Sequence, residues 1–254
     1  IDDLIARRLQ SHRHPLISIH EYSKAKQQVL ALPANKTNTA APLLSVSVNS
    51  AEQARLALEQ GADRVLLGLE GIGTHKRPGR KQLQELLSWN NSKFSRVIPV
   101  LPRIHLPGES HNYRDIIDQG FTSIMAGNWG DLYWGLQQGV KILADYSLNV
   151  FNAYAVQFLL NLGIDSICLS PELNFSQLHS FRDFAKVELL VHGELMLMES
   201  QHCMLGSTLG AAASKCAVCS QDKYYLQDEK GYKFPIATDA DCRFYVFNSR
   251  TLCI

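Results

Sequence analysis

Along the chain, a rhythm of apolar and polar positions begins at Leu43. Short runs rich in Val, Ile and Leu occur at Leu44–Val48, Arg64–Leu69, Arg96–Ile104, Thr122–Ala126, Lys141–Ala144, Ser166–Leu169 and Val187–Val191. Runs this short, bounded by turn residues, suit strands buried on both faces. Between them lie amphipathic segments at Ala51–Gln60, Arg80–Trp89, Asn112–Gln119, Trp129–Gln138, Asn152–Leu162 and Pro171–Phe181. Several are followed by glycine, at Gly61, Gly120, Gly139 and Gly163. Glycine takes the left-handed cap conformation cheaply, so these positions read as helix stops.

Strands that alternate with helices form a parallel sheet. The pattern predicts an α/β fold, a (β/α)8-like barrel that is complete or lacks a strand; an open doubly wound sheet is the competing arrangement. Ahead of the rhythm, Asp2–Gln10 and Glu21–Leu32 have helical patterning and residues 33–39 read as a linker. Residues 1–42 are therefore a helical leading segment. The barrel domain is expected over 43–200. Beyond it the rhythm stops: Tyr224–Gln227, a turn at 228–231 and Tyr232–Pro235 read as a hairpin, and Arg243–Phe247 alternates again. Residues 201–254 are expected to form a small Cys-rich β cap.

Hydrophobic residues make up 46% of the 254 positions and charged residues 19%, which excludes a disordered chain. Lys plus Arg is 25 and Asp plus Glu is 24, so no global field draws in nucleic acid, although a local basic groove remains compatible. The longest uncharged stretch, Tyr146–Ile164, carries Ser147, Asn149, Asn152, Gln157 and Asn161. Those groups are costly in lipid, so no membrane span is expected. No signal-peptide pattern is present, and the expected location is the cytoplasm. The start at Ile1 and the end at Ile254 suggest part of a longer polypeptide.

In a parallel barrel, function sits at the C-terminal ends of the strands. That rule selects Arg103 and His105, Gly127-Asn128, Asp145-Tyr146 with Asn149 and Asn152, Ser170-Pro171-Glu172, and His192-Gly193-Glu194. His192 is the first acid–base candidate, because imidazole titrates near working pH. Asp145 and Glu172 are candidates for a carboxylate pair, though Glu172 in the first turn after Pro171 also suits a helix dipole. Arg103 can clamp an anionic group through its planar fork, with Asn149 and Asn152 as further substrate-binding candidates. No His-Glu-x-x-His helix, Gly-x-Ser-x-Gly elbow or phosphate loop occurs.

Cysteine placement is lopsided: Cys168 stands alone, while Cys203, Cys216, Cys219, Cys242 and Cys253 crowd the last fifth. The spacing Cys203-x12-Cys216-x2-Cys219-x22-Cys242 supplies four thiols that can hold structural zinc or a [4Fe–4S] cluster. Free buried thiols are the plain alternative. Cys168, inside a predicted strand, reads as core.

The run from Val187 to Gly206, VELLVHGELMLMESQHCMLG, resembles the signature of peptidase family U32, the collagenase-like peptidases. Asp145–Asn152, Leu169–Leu173 and Phe234-Pro235 fit the same family, and the likeness spans about residues 43–254. Glu188 and Gly193 match signature positions, as does Cys203, whereas Met196 stands where the family has a cysteine. The resemblance implies a barrel-like catalytic domain whose iron–sulfur cluster is held by Cys203, Cys216, Cys219 and Cys242. Within the family, Leu197–Cys203 is most similar to a branch that hydroxylates cytidine in ribosomal RNA, with prephenate as oxygen source. The expected function is thus RNA-base hydroxylation, with peptide hydrolysis the alternative and a zinc-capped binding barrel the third. Long members carry two related copies, and this chain resembles the second; a companion N-terminal half, and RNA or peptide as substrate, are the expected partners.

Overall fold

The computed structural model describes residues 2–11, 17–30, 41–73, 78–89, 96–105, 113–184, 186–210, 216, 218–220, 223–239 and 241–254. Two helices, α1 (Asp2–Ser11) and α2 (Ile19–Leu30), belong to a unit of their own, Ile1–Asn35. Asp2 and Asp3 open α1 and Arg8 closes it, matching the helix dipole at both ends. Ser18 and Glu21 cap α2 reciprocally: the Glu21 N–H donates to Ser18 Oγ and the Ser18 N–H to Glu21 Oε2.

The second unit, Lys36–Ile254, contains a seven-stranded parallel sheet. Its strands are β1 (Ser45–Val48), β2 (Arg64–Gly68), β3 (Val97–Val100), β4 (Ser123–Ala126), β5 (Lys141–Ala144), β6 (Ser166–Cys168) and β7 (Val187–Glu188). They lie side by side in chain order. That order removes the doubly wound competitor, whose strands reverse direction of addition at a switch point. Helices α3 (Ala51–Glu59), α4 (Arg80–Trp89), α5 (Trp129–Gln138), α6 (Ala153–Asn161) and α7 (Phe175–Leu178) fill the crossovers. Side chains of Ser50, Asn128 and Asn152 cap α3, α5 and α6. Gly61, Gly139 and Gly163 follow these helices with positive φ, as their positions predict.

Alternation splits the sheet into two faces. Leu67, Ile124, Ile142 and Ile167 pack against Ala54, Leu132, Val156 and Leu159 of the helices. Their neighbours Leu66, Ile98, Met125 and Leu143 form a separate cluster on the other face. Each fully buried Leu or Ile contributes about 2 kcal/mol relative to exposure. The sheet curls: Ser45 Oγ of β1 donates to Glu188 Oε2 of β7 at 3.2 Å. Oε1 of the same carboxylate meets Arg64 of β2 at 3.0 Å and accepts from Ser166 Oγ of β6. Among the described residues β1 and β7 pair only through these side chains, so the architecture is an incomplete barrel.

Two differences from the sequence pattern have local causes. The segment expected as a helix from Pro171 starts at Phe175, where Asn174 and Gln177 form a capping box. The third strand ends at Val100, short of Ile104, ahead of Pro102, which has no N–H for a ladder.

Past β7 come β8 (His192–Gly193), β9 (Met196–Ser200), α8 (Met204–Thr208), β10 (Tyr224–Gln227), β11 (Lys233–Thr238), β12 (Phe244–Phe247) and β13 (Leu252–Cys253). Strands β10, β11, β12 and β9 make an antiparallel sheet in that order, while β13 pairs with β8. The sheet thus draws in β9 from ahead of residue 200. None of Cys203, Cys216, Cys219 and Cys242 lies in its strands. Among the described residues, no helix is long and apolar enough to cross a membrane.

Candidate active site

Arg103 follows β3 and Asp145 follows β5, so both stand at the C-terminal end of the sheet, on either side of β4. Asp145 Oδ2 accepts from Arg103 Nε at 2.9 Å and Nη2 at 2.8 Å. The guanidinium carbon lies 4.5 Å from the centre of the Tyr146 ring. Burial disfavours the Arg103 charge, but Asp145 and Tyr146 outweigh it and raise its pKa. The stem is packed tightly on its Gly127 side, where a Cβ would stand 2.8 Å from Arg103 Cγ and 2.7 Å from Ser147 Oγ. The loop carrying Arg103 is held from behind, where Asn128 Nδ2 donates to the Arg103 carbonyl at 3.2 Å. Asn128 also donates to buried Asp131, which meets His105 Nε2 at 2.7 Å and Arg114 at 3.3 Å. Burial alone would raise the Asp131 pKa; bonds from His105, Asn128 and Arg114 lower it.

The antiparallel sheet supplies the facing wall. Tyr245 pairs with Glu199, and Val246 with Met198. Phe247 then pairs with Met196, so Leu197 is an extra residue in β9. This bulge turns Met196 to the same face as Glu199. From there Met196 Sδ accepts from Arg103 Nη1 at 3.2 Å. A second link joins this sheet to the loop after β2, where the Gly73 N–H donates to the Thr238 carbonyl at 2.8 Å. That loop also carries Glu70, whose Oε1 accepts the Arg103 N–H at 3.3 Å.

Burial, then the charge of Glu199, pushes the Glu70 carboxyl up to about 7, against the pull of Arg103 and Arg243. Burial likewise raises Glu199, with Asp239 and Asp145 adding to it and Arg103 and Arg243 opposing. Behind them Asp239 Oδ2 accepts from Arg243 Nη1 and from the Tyr245 hydroxyl, each at 3.1 Å. A carboxyl raised to about 7 and a second raised carboxyl can exchange a proton while the fixed guanidinium holds developing negative charge.

Of the residues picked out by strand ends, the structure joins Arg103 with Asp145 and buries both in part or whole. It leaves Glu172 exposed in the turn after β6, so Asp145 pairs with Arg103 and not with Glu172. Asn149 ends the 3-10 turn Tyr146–Leu148, and Asn152 caps α6; both are exposed. His192 is exposed on β8, opposite Cys253. Glu70 and Glu199 escaped sequence reasoning. Glu70 is legible as the residue just past the second apolar run, whereas Glu199 depends on the bulge.

The cysteines lie toward the opposite face of the antiparallel sheet. There Phe244, Val246 and Leu205 form a small core with Cys203 and Val218 against it. Cys203 Sγ caps α8 by accepting the Gly206 N–H at 3.4 Å. A Cβ on Gly206 would lie 3.7 Å from both Cys203 Sγ and Cys216 Sγ, so these sulfurs flank one glycine. Burial raises the Cys242 thiol, with Cys203, Cys219 and Cys216 adding to it. No described group of three or more His, Cys, Asp or Glu side chains is poised to hold a metal ion. As a donor set, four soft thiols fit zinc or an iron–sulfur cluster. Cys168 lies in β6, buried, with its thiol pushed up to about 12 chiefly by burial.

In sequence, residues 68% of this chain's length align at 22% identity with a collagenase of Porphyromonas gingivalis (strain ATCC BAA-308 / W83). The chain spans about half of that relative, 47% of its length. The solved structure of the U32 peptidase Mk0906 is similar at a TM-score of 0.43 and 12% identity, over 63% of this chain and 71% of that one. The family model described as peptidase family U32 matches residues 49–254, from the end of β1 through the antiparallel sheet. The chain therefore belongs to peptidase family U32.

Proposed function

We propose that the chain carries a peptide-bond-hydrolysing site at the C-terminal mouth of its seven-stranded sheet. Family membership and the collagenase-named relative support this reading. The observation that carries it is the setting of Arg103. Two nitrogens of its guanidinium are fixed by Asp145, and Nη1 rests on a thioether. Sulfur is a weak acceptor, so a peptide carbonyl oxygen displaces it readily. Arg103 then stabilises the oxyanion that forms when water adds to that carbonyl.

The test is incubation of the purified chain with denatured collagen and with unrelated peptides, read by mass spectrometry. Arg103→Lys keeps the charge but loses the fork, and kcat/KM is expected to fall about 100-fold. Peptides left intact by the wild-type chain overturn the reading.

One observation favours a second reading, an iron–sulfur enzyme that hydroxylates an RNA base with prephenate as donor. It is the flanking of Gly206 by Cys203 Sγ and Cys216 Sγ, with burial first, and then Cys203, Cys219 and Cys216, raising the Cys242 thiol. These four residues would hold the group. A bound cluster supplies electron transfer; bound zinc would cross-link the segment. Iron content and visible absorption of protein purified without oxygen separate these cases. Iron lost on Cys219→Ser but kept on Cys168→Ser supports the cluster, one zinc makes the segment structural, and absence of both metals removes the reading.

A further inference from the structure

Glu199 has an unusual position for a charged side chain. Its Oε1 is buried and has no hydrogen-bond partner among the described residues. A buried carboxylate oxygen without a donor is costly to the fold. Leu197, the extra residue of the bulge, is exposed, and the bulge is what sets Glu199 and Met196 on one face. That face looks at the end of β2, where Glu70 receives the Arg103 N–H, and at the guanidinium touched by Met196.

We propose that Glu70 and Glu199 are a coupled carboxyl pair acting as general acid and general base on one peptide bond, a role that rests on the hydrolase reading above. The two are not hydrogen-bonded to each other among the described residues, so Glu199 Oε1 has the capacity to accept from a water molecule. In the reaction the ionised member takes a proton from that water as its oxygen bonds to the carbonyl carbon. The protonated member gives its proton to the amide nitrogen as the C–N bond breaks. One carboxylic acid and one amine leave, no electron is gained or lost, and the pair ends with one proton, as it began. Arg103 Nη1 meets the carbonyl oxygen between the two transfers.

Coupling is physically expected here, because each negative charge disfavours the other in a half-buried site. Burial and Glu199 together hold Glu70 protonated to about pH 7. The charged and titratable groups around the pair are Arg103, Asp145, Tyr245, Asp239 and Arg243.

The test is infrared titration of the carboxylic-acid band in the full chain, wild type against Glu199→Gln and Glu70→Gln, run beside peptide hydrolysis. The wild type is expected to keep a protonated carboxyl to about pH 7 that Glu70→Gln removes. In Glu199→Gln the Glu70 midpoint is expected to fall by about 1 unit, as loss of a neighbouring charge requires. Each single variant is expected to lose about 100-fold or more in kcat/KM, and the double variant little beyond that. A Glu70 midpoint unmoved by Glu199→Gln overturns the pair, even where peptides are still cleaved and the hydrolase reading survives. Coupled titration with no change in hydrolysis overturns the catalytic role. Should Glu70→Gln fail to fold, Glu199→Gln alone reads the coupling.

Discussion

Two partly buried glutamates, Glu188 and Glu199, stand 11 residues apart in the chain and are treated in opposite ways. Glu188 is satisfied by three strands: Oε1 meets Arg64 and Ser166, and Oε2 meets Ser45. Glu199 has an oxygen that is buried and meets nothing among the described residues. The difference separates structure from chemistry. A carboxylate with partners on both oxygens ties β1, β2, β6 and β7 into a curl. A carboxylate held short of partners, beside a second raised carboxyl and a fixed guanidinium, retains the capacity to bind or move a proton.

The largest effect on stability is expected from Glu188→Ala. It removes the acceptor for Arg64 and both serines and leaves the guanidinium without its counter-charge. Losing one partner of a buried pair costs about 3–5 kcal/mol. Arg64 and Glu188 keep side-chain exposures of 20% and 15%, so the low end, about 3 kcal/mol, is expected. Urea unfolding measures it; a loss below about 1 kcal/mol would mean that the curl does not depend on this carboxylate.

Next is a pH effect from the other region. The Glu70 carboxyl is raised from 4.5 to about 7. For an acid with a raised folded-state pKa, the native state holds the proton more tightly than the unfolded chain. Stability from this group is therefore greatest at low pH and falls as pH rises from about 4.5 to 7, by about 3 kcal/mol. Unfolding free energies from pH 5 to 8 are expected to slope downward in the wild type and to flatten in Glu70→Gln. An unchanged slope in that variant would assign the effect to another group.

A smaller change is expected from Ser45→Ala, which removes a single hydrogen bond to Glu188 at 3.2 Å. A bond to a charged acceptor is worth about 1.5–3 kcal/mol when well made. This one is long and half-exposed, so about 1 kcal/mol is expected by urea unfolding. Because Glu188 keeps Arg64 and Ser166, the loss should be well below that of Glu188→Ala.

The barrel half of this comparison was legible in the sequence and the candidate-site half only partly so. Short Val-, Ile- and Leu-rich runs and helix-stopping glycines mark the seven strands, because burial on both faces and left-handed caps are local demands. The chain-order addition of strands is not local, and periodicity left a doubly wound sheet open. Strand-end logic found Arg103 and Asp145, since each follows its strand directly. It also grouped Asp145 with Glu172, because spacing along the chain does not say which crossover folds inward. Glu199 was hidden for a different reason: its orientation depends on one extra residue in β9 and on pairing with β12, more than forty residues later. For the thiols, spacing suggests a set, and Cys203 Sγ and Cys216 Sγ flank Gly206.

The smallest expected effect is the sharpest discriminator between the two glutamates. Glu199→Gln replaces a charge that lacks a partner with a neutral group of the same shape. The cost of burying the carboxylate disappears, while its attraction to Arg103 and Arg243 is lost, and these terms oppose each other. Glu70 is also released from a like charge. The net change in unfolding free energy is expected to lie within about 0.5 kcal/mol of zero, on the stabilising side. The same substitution at Glu188 places an amide against Arg64 and is expected to destabilise clearly. Equal losses at both positions would mean that Glu199 is as fully engaged as Glu188 and that its buried oxygen serves the fold. A loss at Glu188 alone would leave the Glu199 oxygen to be explained by what the site binds.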